Sequence, residues 1–141
     1  MAFEKRVKVR FADIDQAGIV YYPTILHYCH TVMEDFFEDV VGTPYPIVLK
    51  QKRFGLPTVR VEADYHAPVR YGDDLRIAMS VRRVGNASVT FQFEAFRPDG
   101  VLAARSILTK ACVNMDTFRA TPVPDFMRAE FAKIAAPAAA P

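Results

Sequence analysis

Between Glu4 and Phe11, apolar Val7, Val9 and Phe11 alternate with Arg6, Lys8 and Arg10. A period of two puts the apolar set on one side of an extended chain, so this stretch reads as a first strand. Asp13 to Gly18 breaks the alternation and reads as a loop. From Pro23 the period changes. Ile25, Leu26, Cys29, Val32, Met33, Phe36, Phe37 and Val40 recur at steps of three and four, with Thr31, Glu34, Asp35, Glu38 and Asp39 between them. This spacing predicts an amphipathic helix of about five turns from Pro23 to Val41, its apolar stripe facing a core. Pro23 suits the first turn, where a missing N–H has no partner to lose, and Gly42 and Pro44 close the helix.

The rest of the chain alternates again. Val59, Val61, Ala63, Tyr65 and Ala67 predict a second strand that stops at Pro68. Leu75, Ile77, Met79 and Val81 predict a third, and Val89, Phe91, Phe93 and Ala95 a fourth after the tight Gly85-Asn86 connection. Pro98-Asp99-Gly100 signals a hairpin into a last strand running from Val101 to about Met115. A short helix is expected over 125–134, capped near Asp125, followed by a loosely held Ala/Pro tail at 135–141. One strand, one long helix, a run of antiparallel strands and a terminal helix define an α+β class: a single domain over 1–134 with a twisted antiparallel sheet wrapped around one helix. Such a sheet leaves strand edges that a second copy would cover.

Composition and charge narrow the function. A net charge of +2 and the absence of any lysine or arginine run argue against a nucleic-acid partner. The N-terminus lacks an apolar signal segment, and no stretch approaches a membrane span, so no membrane partner and a cytoplasmic location are expected. Cys29 and Cys112 lie far apart without CxxC spacing and read as two reduced, buried thiols.

The candidate chemistry lies in Asp13-Ile14-Asp15-Gln16-Ala17-Gly18-Ile19-Val20-Tyr21-Tyr22-Pro23. Two acids precede a helix start, where unpaired N–H groups and the positive dipole end can stabilise charge developing on a carbonyl oxygen. An isolated Asp-x-Asp is also a common turn or helix entry, and Asp13 reads as structural. His27 and His30, three residues apart on the helix, have no third ligand at a supporting spacing, so no metal or cofactor is expected. Glu34 reads as part of a solvated helix face.

The stretch from Phe11 to Pro23 resembles the signature of the 4-hydroxybenzoyl-CoA thioesterase family, a group of hotdog-fold enzymes. Asp64-Tyr65-His66-Ala67-Pro68-Val69-Arg70-Tyr71-Gly72-Asp73 resembles a second family segment. The resemblance implies a hydrolase of acyl-CoA thioesters acting on a small aromatic or short-chain acyl group, built as a homodimer that pairs into a homotetramer. It assigns the catalytic carboxylate to Asp15 and the oxyanion donor to the backbone N–H of Tyr22. Whether Asp15 attacks directly or activates water stays open. His30 stands where many members carry an acid near the acyl ring, so it is a candidate for the acyl pocket, and the acyl group is left open. Arg119 matches a position that reaches the nucleotide of CoA. Arg82 and Arg83 end a strand near other basic positions, although Gly85-Asn86-Ala87 replaces part of the family's cluster. The alternatives are a hydratase or dehydratase of 3-hydroxyacyl thioesters, which needs a positioned histidine with an acidic partner, whereas His66 ends a strand in a family-like segment and His27 and His30 lack that setting, and a non-catalytic acyl-CoA-binding protein.

Overall fold

The computed structural model describes residues 1–137. Strand β1 (Phe3–Lys8) leads through a single 3-10 turn (Phe11–Asp13) to helix α1 (Tyr22–Phe36), which continues as a π-helical turn over Phe37–Val41. Gly42 ends that turn at φ 77°, a left-handed conformation that glycine adopts without strain. The chain then forms a short helix α2 (Tyr45–Ile47) with its own π turn (Val48–Lys52), and strands β2 (Phe54–Gly55), β3 (Thr58–Tyr65), β4 (Asp74–Val84), β5 (Ser88–Phe96), β6 (Leu102–Ala111) and β7 (Val113–Asn114). Helix α3 (Asp125–Lys133) follows.

Five strands form one antiparallel sheet in the order β1-β4-β5-β6-β3. Helix α1 lies against it and buries Ile25, Tyr28, Cys29, Val32, Met33 and Phe36, the stripe that the spacing of three and four anticipates. These meet Leu75, Ile77 and Met79 of β4 and Phe91 and Phe93 of β5 in one core. Helix α3 closes one end, with Phe131 fully buried against Phe36, Phe37 and Phe91 at ring distances of 6.0, 6.2 and 5.4 Å. The sheet wrapped around one long helix is the hotdog fold.

The sequence pattern needs adjusting in five places. The helix begins one residue early, at Tyr22, with Pro23 in its first turn. The last strand is split: β6 ends at Ala111 because Cys112 turns its N–H to Ala87 O (2.8 Å), and β7 pairs elsewhere, with β2. Helix α3 carries no side-chain cap, and Asp125 is its first residue, flanked by Pro124. The segment from Tyr45 to Gly55, which shows no clean period, supplies α2 and β2. Finally, residues 135 and 136, the first of the expected tail, are held. Val81 donates its N–H to Ile134 O (2.8 Å) and accepts from Ala136 N–H (2.7 Å), which fixes 134–136 against β4; residues 138–141 lie outside the described residues.

One strand differs from its neighbours. The alternation of β3 suggests a half-buried strand, yet all eight of its residues are exposed. Val61, Ala63 and Tyr65 share a face with Leu108, Ser106 and Ala104 of β6, the face turned towards α1. They nevertheless stay open to solvent because β3 is the edge strand of the sheet; only Tyr65, at its end, meets α1, through its hydroxyl on Tyr22 O.

Candidate active site

The loop before α1 is built by backbone pairing. Ile14 bridges Val20, Asp15 N–H donates to Ile19 O (2.9 Å), and Gly18 N–H returns to Asp15 O (3.0 Å). Gly18 turns the chain at φ 82°, which explains glycine there. Val20 N–H donates to Val69 O (2.8 Å), tying the loop to the segment between β3 and β4. Asp13 anchors it from below: its Oδ2 accepts the Arg10 N–H (2.8 Å) and the hydroxyl of buried Tyr28 (2.6 Å), while its carbonyl accepts Tyr21 N–H (2.9 Å). Burial and the Asp13 carboxylate together push the Tyr28 hydroxyl far above the usual phenol range, so it stays a donor.

Asp15 is half-buried, and its Oδ1 accepts Ala17 N–H at 2.8 Å. Its Oδ2 receives no bond from the described residues. The helix start offers a matching donor. Tyr21 N–H is taken by Asp13 O, Pro23 has none, and Thr24 N–H donates to Tyr21 O (2.8 Å). Tyr22 is left with a backbone N–H that no acceptor among the described residues takes, at the positive end of α1. The Tyr22 side chain is exposed, so the group that can serve chemistry is its backbone.

Tyr22 lines a cleft of ≈ 340 Å³ with Ile19, Val20, Ile25, Tyr65, His66, Ala67, Pro68, Val69, Ala103 and Ala104, a mostly apolar set. Tyr65 spans its wall and donates its hydroxyl to Tyr22 O at 2.7 Å. Asp15 is not itself a lining residue, but its loop neighbours Ile19 and Val20 are. His66 is an exposed lining residue whose backbone is fixed by Ala103 O (2.7 Å).

The other candidates stand apart from this cleft. His30, half-buried on α1, places Nε2 3.6 Å from Glu34 Oε2 and packs edge-on to Tyr45. Burial lowers its pKa, the nearby Lys110 charge adds to that, and Glu34 only partly opposes it, so the contact is not an ion pair at neutral pH. Arg82 and Arg83 are brought together with Arg60, Glu62, Ser88, Thr90, Ile107 and Thr109 in a polar groove across the sheet. Arg119 is exposed on a separate loop next to Phe118, which has φ 58°. Cys29 and Cys112 are both buried, and burial pushes the Cys29 thiol up to about 11, so it is no nucleophile at neutral pH. Among the described residues no three His, Cys, Asp or Glu side chains cluster as metal ligands, and no helix is long and apolar enough to cross a membrane. Two residues of interest escape the sequence reading. Tyr65 passes as an ordinary strand residue, and Lys110 is hidden in a strand whose alternation is imperfect.

An acid-bearing loop, a helix-start N–H with no acceptor among the described residues and an apolar cleft on a hotdog scaffold form a setting suited to thioester hydrolysis, and the chain's relatives are hydrolases of CoA thioesters. The chain belongs to the thioesterase-like superfamily, whose model matches residues 9–131. It is 27% identical over 123 residues to a 1,4-dihydroxy-2-naphthoyl-CoA hydrolase of Prochlorococcus marinus (strain MIT 9303), covering 83% of this chain and 81% of that relative. A gentisyl-coenzyme A thioesterase of known structure is 25% identical with a TM-score of 0.82, covering 92% of this chain and 98% of its own. A 1,4-dihydroxy-2-naphthoyl-CoA thioesterase from Synechocystis superposes with a TM-score of 0.86 at 22% identity, over 97% of this chain and 100% of the other, a likeness of fold.

Proposed function

We propose that the chain hydrolyses the coenzyme A thioester of a small hydroxylated aromatic acid, without metal or cofactor. The observation that carries this reading is the Tyr22 N–H, which takes no acceptor among the described residues and belongs to a residue lining the apolar cleft beside the Asp15 loop. The aryl group packs against Ile25, Val69 and Ala104, and the thioester oxygen accepts the Tyr22 N–H. Asp15, with Oδ2 free, attacks the carbonyl carbon or takes a proton from the water that attacks it. The C–S bond then breaks and the departing thiolate takes up a proton to give free CoA; where water attacked, the acid is released directly, and where Asp15 attacked, water hydrolyses the acyl-aspartyl anhydride to free the acid and restore the carboxylate. Donors of this kind are worth about 2.7–4 kcal/mol of barrier in comparable sites. The naphthoyl and gentisyl substrates of the relatives support an aromatic acyl group. A 4-hydroxybenzoyl group is among the smallest members of that class. Arg82, Arg83 and Arg119 are the cations for the CoA phosphates. All three are exposed, and none is held by a carboxylate among the described residues.

The working form is a homodimer joined through β3, paired further into a tetramer, in the cytoplasm. An edge strand with Val59, Val61 and Tyr65 exposed (64, 45 and 44%) is incomplete as it stands. Antiparallel pairing of two copies about Val61 matches apolar with apolar and sets each Arg60 opposite the other copy's Glu62.

The test is a thiol-release screen over benzoyl, 4-hydroxybenzoyl, 1,4-dihydroxy-2-naphthoyl and short aliphatic CoA thioesters, with light scattering for assembly. Asp15→Ala and Asp15→Asn are expected to abolish turnover and leave fold and assembly intact. Wild-type kcat in Asp15→Ala on the best substrate would refute the mechanism.

A further inference from the structure

Lys110 has no role in the chemistry above, yet it is 4% exposed on the helix-facing side of β6, in a row with Ser106 and Leu108. Burial lowers its pKa, and only the Cys29 sulfur opposes that effect; no carboxylate meets it among the described residues. Its stem is buried, and its ammonium, which makes no hydrogen bond or ion pair among the described residues, is not fully closed off from solvent; an apolar side chain would still suit the position better, because a mostly buried cation costs a fold stability. Buried groups of this kind concentrate at functional sites.

The strand register shows what the lysine faces. Lys110 pairs with Thr58, at one end of β3, whereas Tyr65, which lines the cleft, is at the other. Within one chain the two are separated by the length of the strand, about 23 Å at 3.3 Å per residue. Two-fold antiparallel pairing reverses this. The Tyr65 end of one β3 lies beside the Thr58 end of the other, so the second copy's Lys110 stands two strand spacings, about 10 Å, from Tyr65. Both faces concerned look towards the helices, so the lysine fronts the open side of the cleft. His30, on which the Lys110 charge acts, comes with it.

We infer that the partner subunit's Lys110 forms the far wall of the acyl chamber and recognises a hydroxyl or anionic substituent on the ring of the acyl group. The inference rests on the proposed hydrolase and its β3 dimer. An ammonium has three donors and no acceptor, so it can bond a phenol oxygen and favours the phenolate, while an unsubstituted ring leaves it unpaired and desolvated. The lysine thus provides selectivity, and Asp15 and the Tyr22 N–H of the facing chain provide the chemistry.

Three measurements test this. In Lys110→Met the ratio of kcat/KM for 4-hydroxybenzoyl-CoA over benzoyl-CoA should fall at least about tenfold, with partial recovery in Lys110→Arg. An unchanged ratio would overturn the assignment. Co-expression of Asp15→Ala with Lys110→Met chains on two tags isolates a mixed dimer in which one of the two sites has both groups intact. It should turn over 4-hydroxybenzoyl-CoA at about half the wild-type rate. A rate no higher than half that of the Lys110→Met homodimer would show that the lysine serves its own chain, and the composite site would fall. If the wild type hydrolyses none of these thioesters, the hydrolase reading fails separately. Calorimetric binding of 4-hydroxybenzoyl-CoA and benzoyl-CoA to wild type and Lys110→Met then decides the lysine: a hydroxyl preference lost in the variant upholds it, and an equal preference in both refutes it.

Discussion

Tyr28→Phe isolates the clamp under the Asp15 loop. The substitution preserves the buried ring and removes only the hydroxyl that donates to Asp13 Oδ2 at 2.6 Å. Asp13 keeps the Arg10 N–H but loses the donor that ties it to α1. A bond to a charged acceptor is worth about 1.5–3 kcal/mol. Asp13 is only half-buried, so water can occupy the vacated side, which puts the loss near the lower end, about 1.5 kcal/mol. With an unfolding entropy of about 2.1 cal/mol/K per residue, a chain of this length should lose roughly 5 °C in Tm. The consequence for function is separate. Asp13 also holds Tyr21 through its carbonyl, so loosening it disturbs both Asp15 and the Tyr22 N–H. The catalytic rate should therefore fall by about tenfold, with KM changed much less, because the aryl pocket is untouched. Calorimetry and steady-state thiol release measure the two effects. A variant that keeps wild-type Tm and kcat would show that the clamp holds nothing that matters to the loop.

Tyr65→Phe removes the hydroxyl that fixes Tyr22 O and keeps the ring in the cleft wall; kcat should fall severalfold while KM for the aryl thioester holds, and an equal change in both would mark a mere packing role. Gly18→Ala forces a side chain into a backbone at φ 82°; space is available, so the cost is the conformation itself, about 1–2 kcal/mol, read as a lower urea midpoint together with reduced kcat. His30 gives the pH dependence. Its folded pKa lies below 6.5, so the unfolded chain binds the proton more readily, and the stability involved is complete above pH 6.5 and declines as pH falls below it. Urea midpoints between pH 7.5 and 5 should show this slope in the wild type and a shallower one in His30→Gln; parallel slopes would refute it.

Most of the fold is legible because its determinants are local. The change of period at Pro23, the left-handed stop at Gly42 and the Pro98-Asp99-Gly100 turn each fix an element within a few residues. The loop before α1 is legible for the same reason, since Gly18 and Pro23 shape the backbone that leaves the Tyr22 N–H without an acceptor among the described residues. The stretch from Tyr45 to Gly55 is not legible, because its two short helical pieces and two-residue strand are held by tertiary contacts such as the Tyr45 hydroxyl accepting Leu56 N–H at 3.1 Å. The exposure of β3 is hidden for a different reason. Alternation records which side of a strand is apolar, and it does so equally for a face buried in its own chain and for one left for another copy.

That last distinction explains why, on the proposed reading, the opening motif points to a reaction but not to a substrate. Stabilising an oxyanion needs only one backbone donor and one carboxylate, which a dozen consecutive residues can place. Discriminating between aryl groups needs a wall some 10 Å across the cleft, and no residue near Asp15 in sequence can reach it. In the proposed β3 dimer the Tyr65 end of the cleft faces the strand paired with that edge, so the far wall would come from the second copy. A lysine kept buried on β6, at a cost to the stability of its own chain, is accounted for if its benefit lies in the neighbouring site. It follows that substitutions at Lys110 should move stability and selectivity in opposite directions. Lys110→Met should fold more stably than the wild type at neutral pH and choose its substrates less well. The stability gain should shrink as pH rises towards 10.5, where the wild-type lysine sheds its proton in either state.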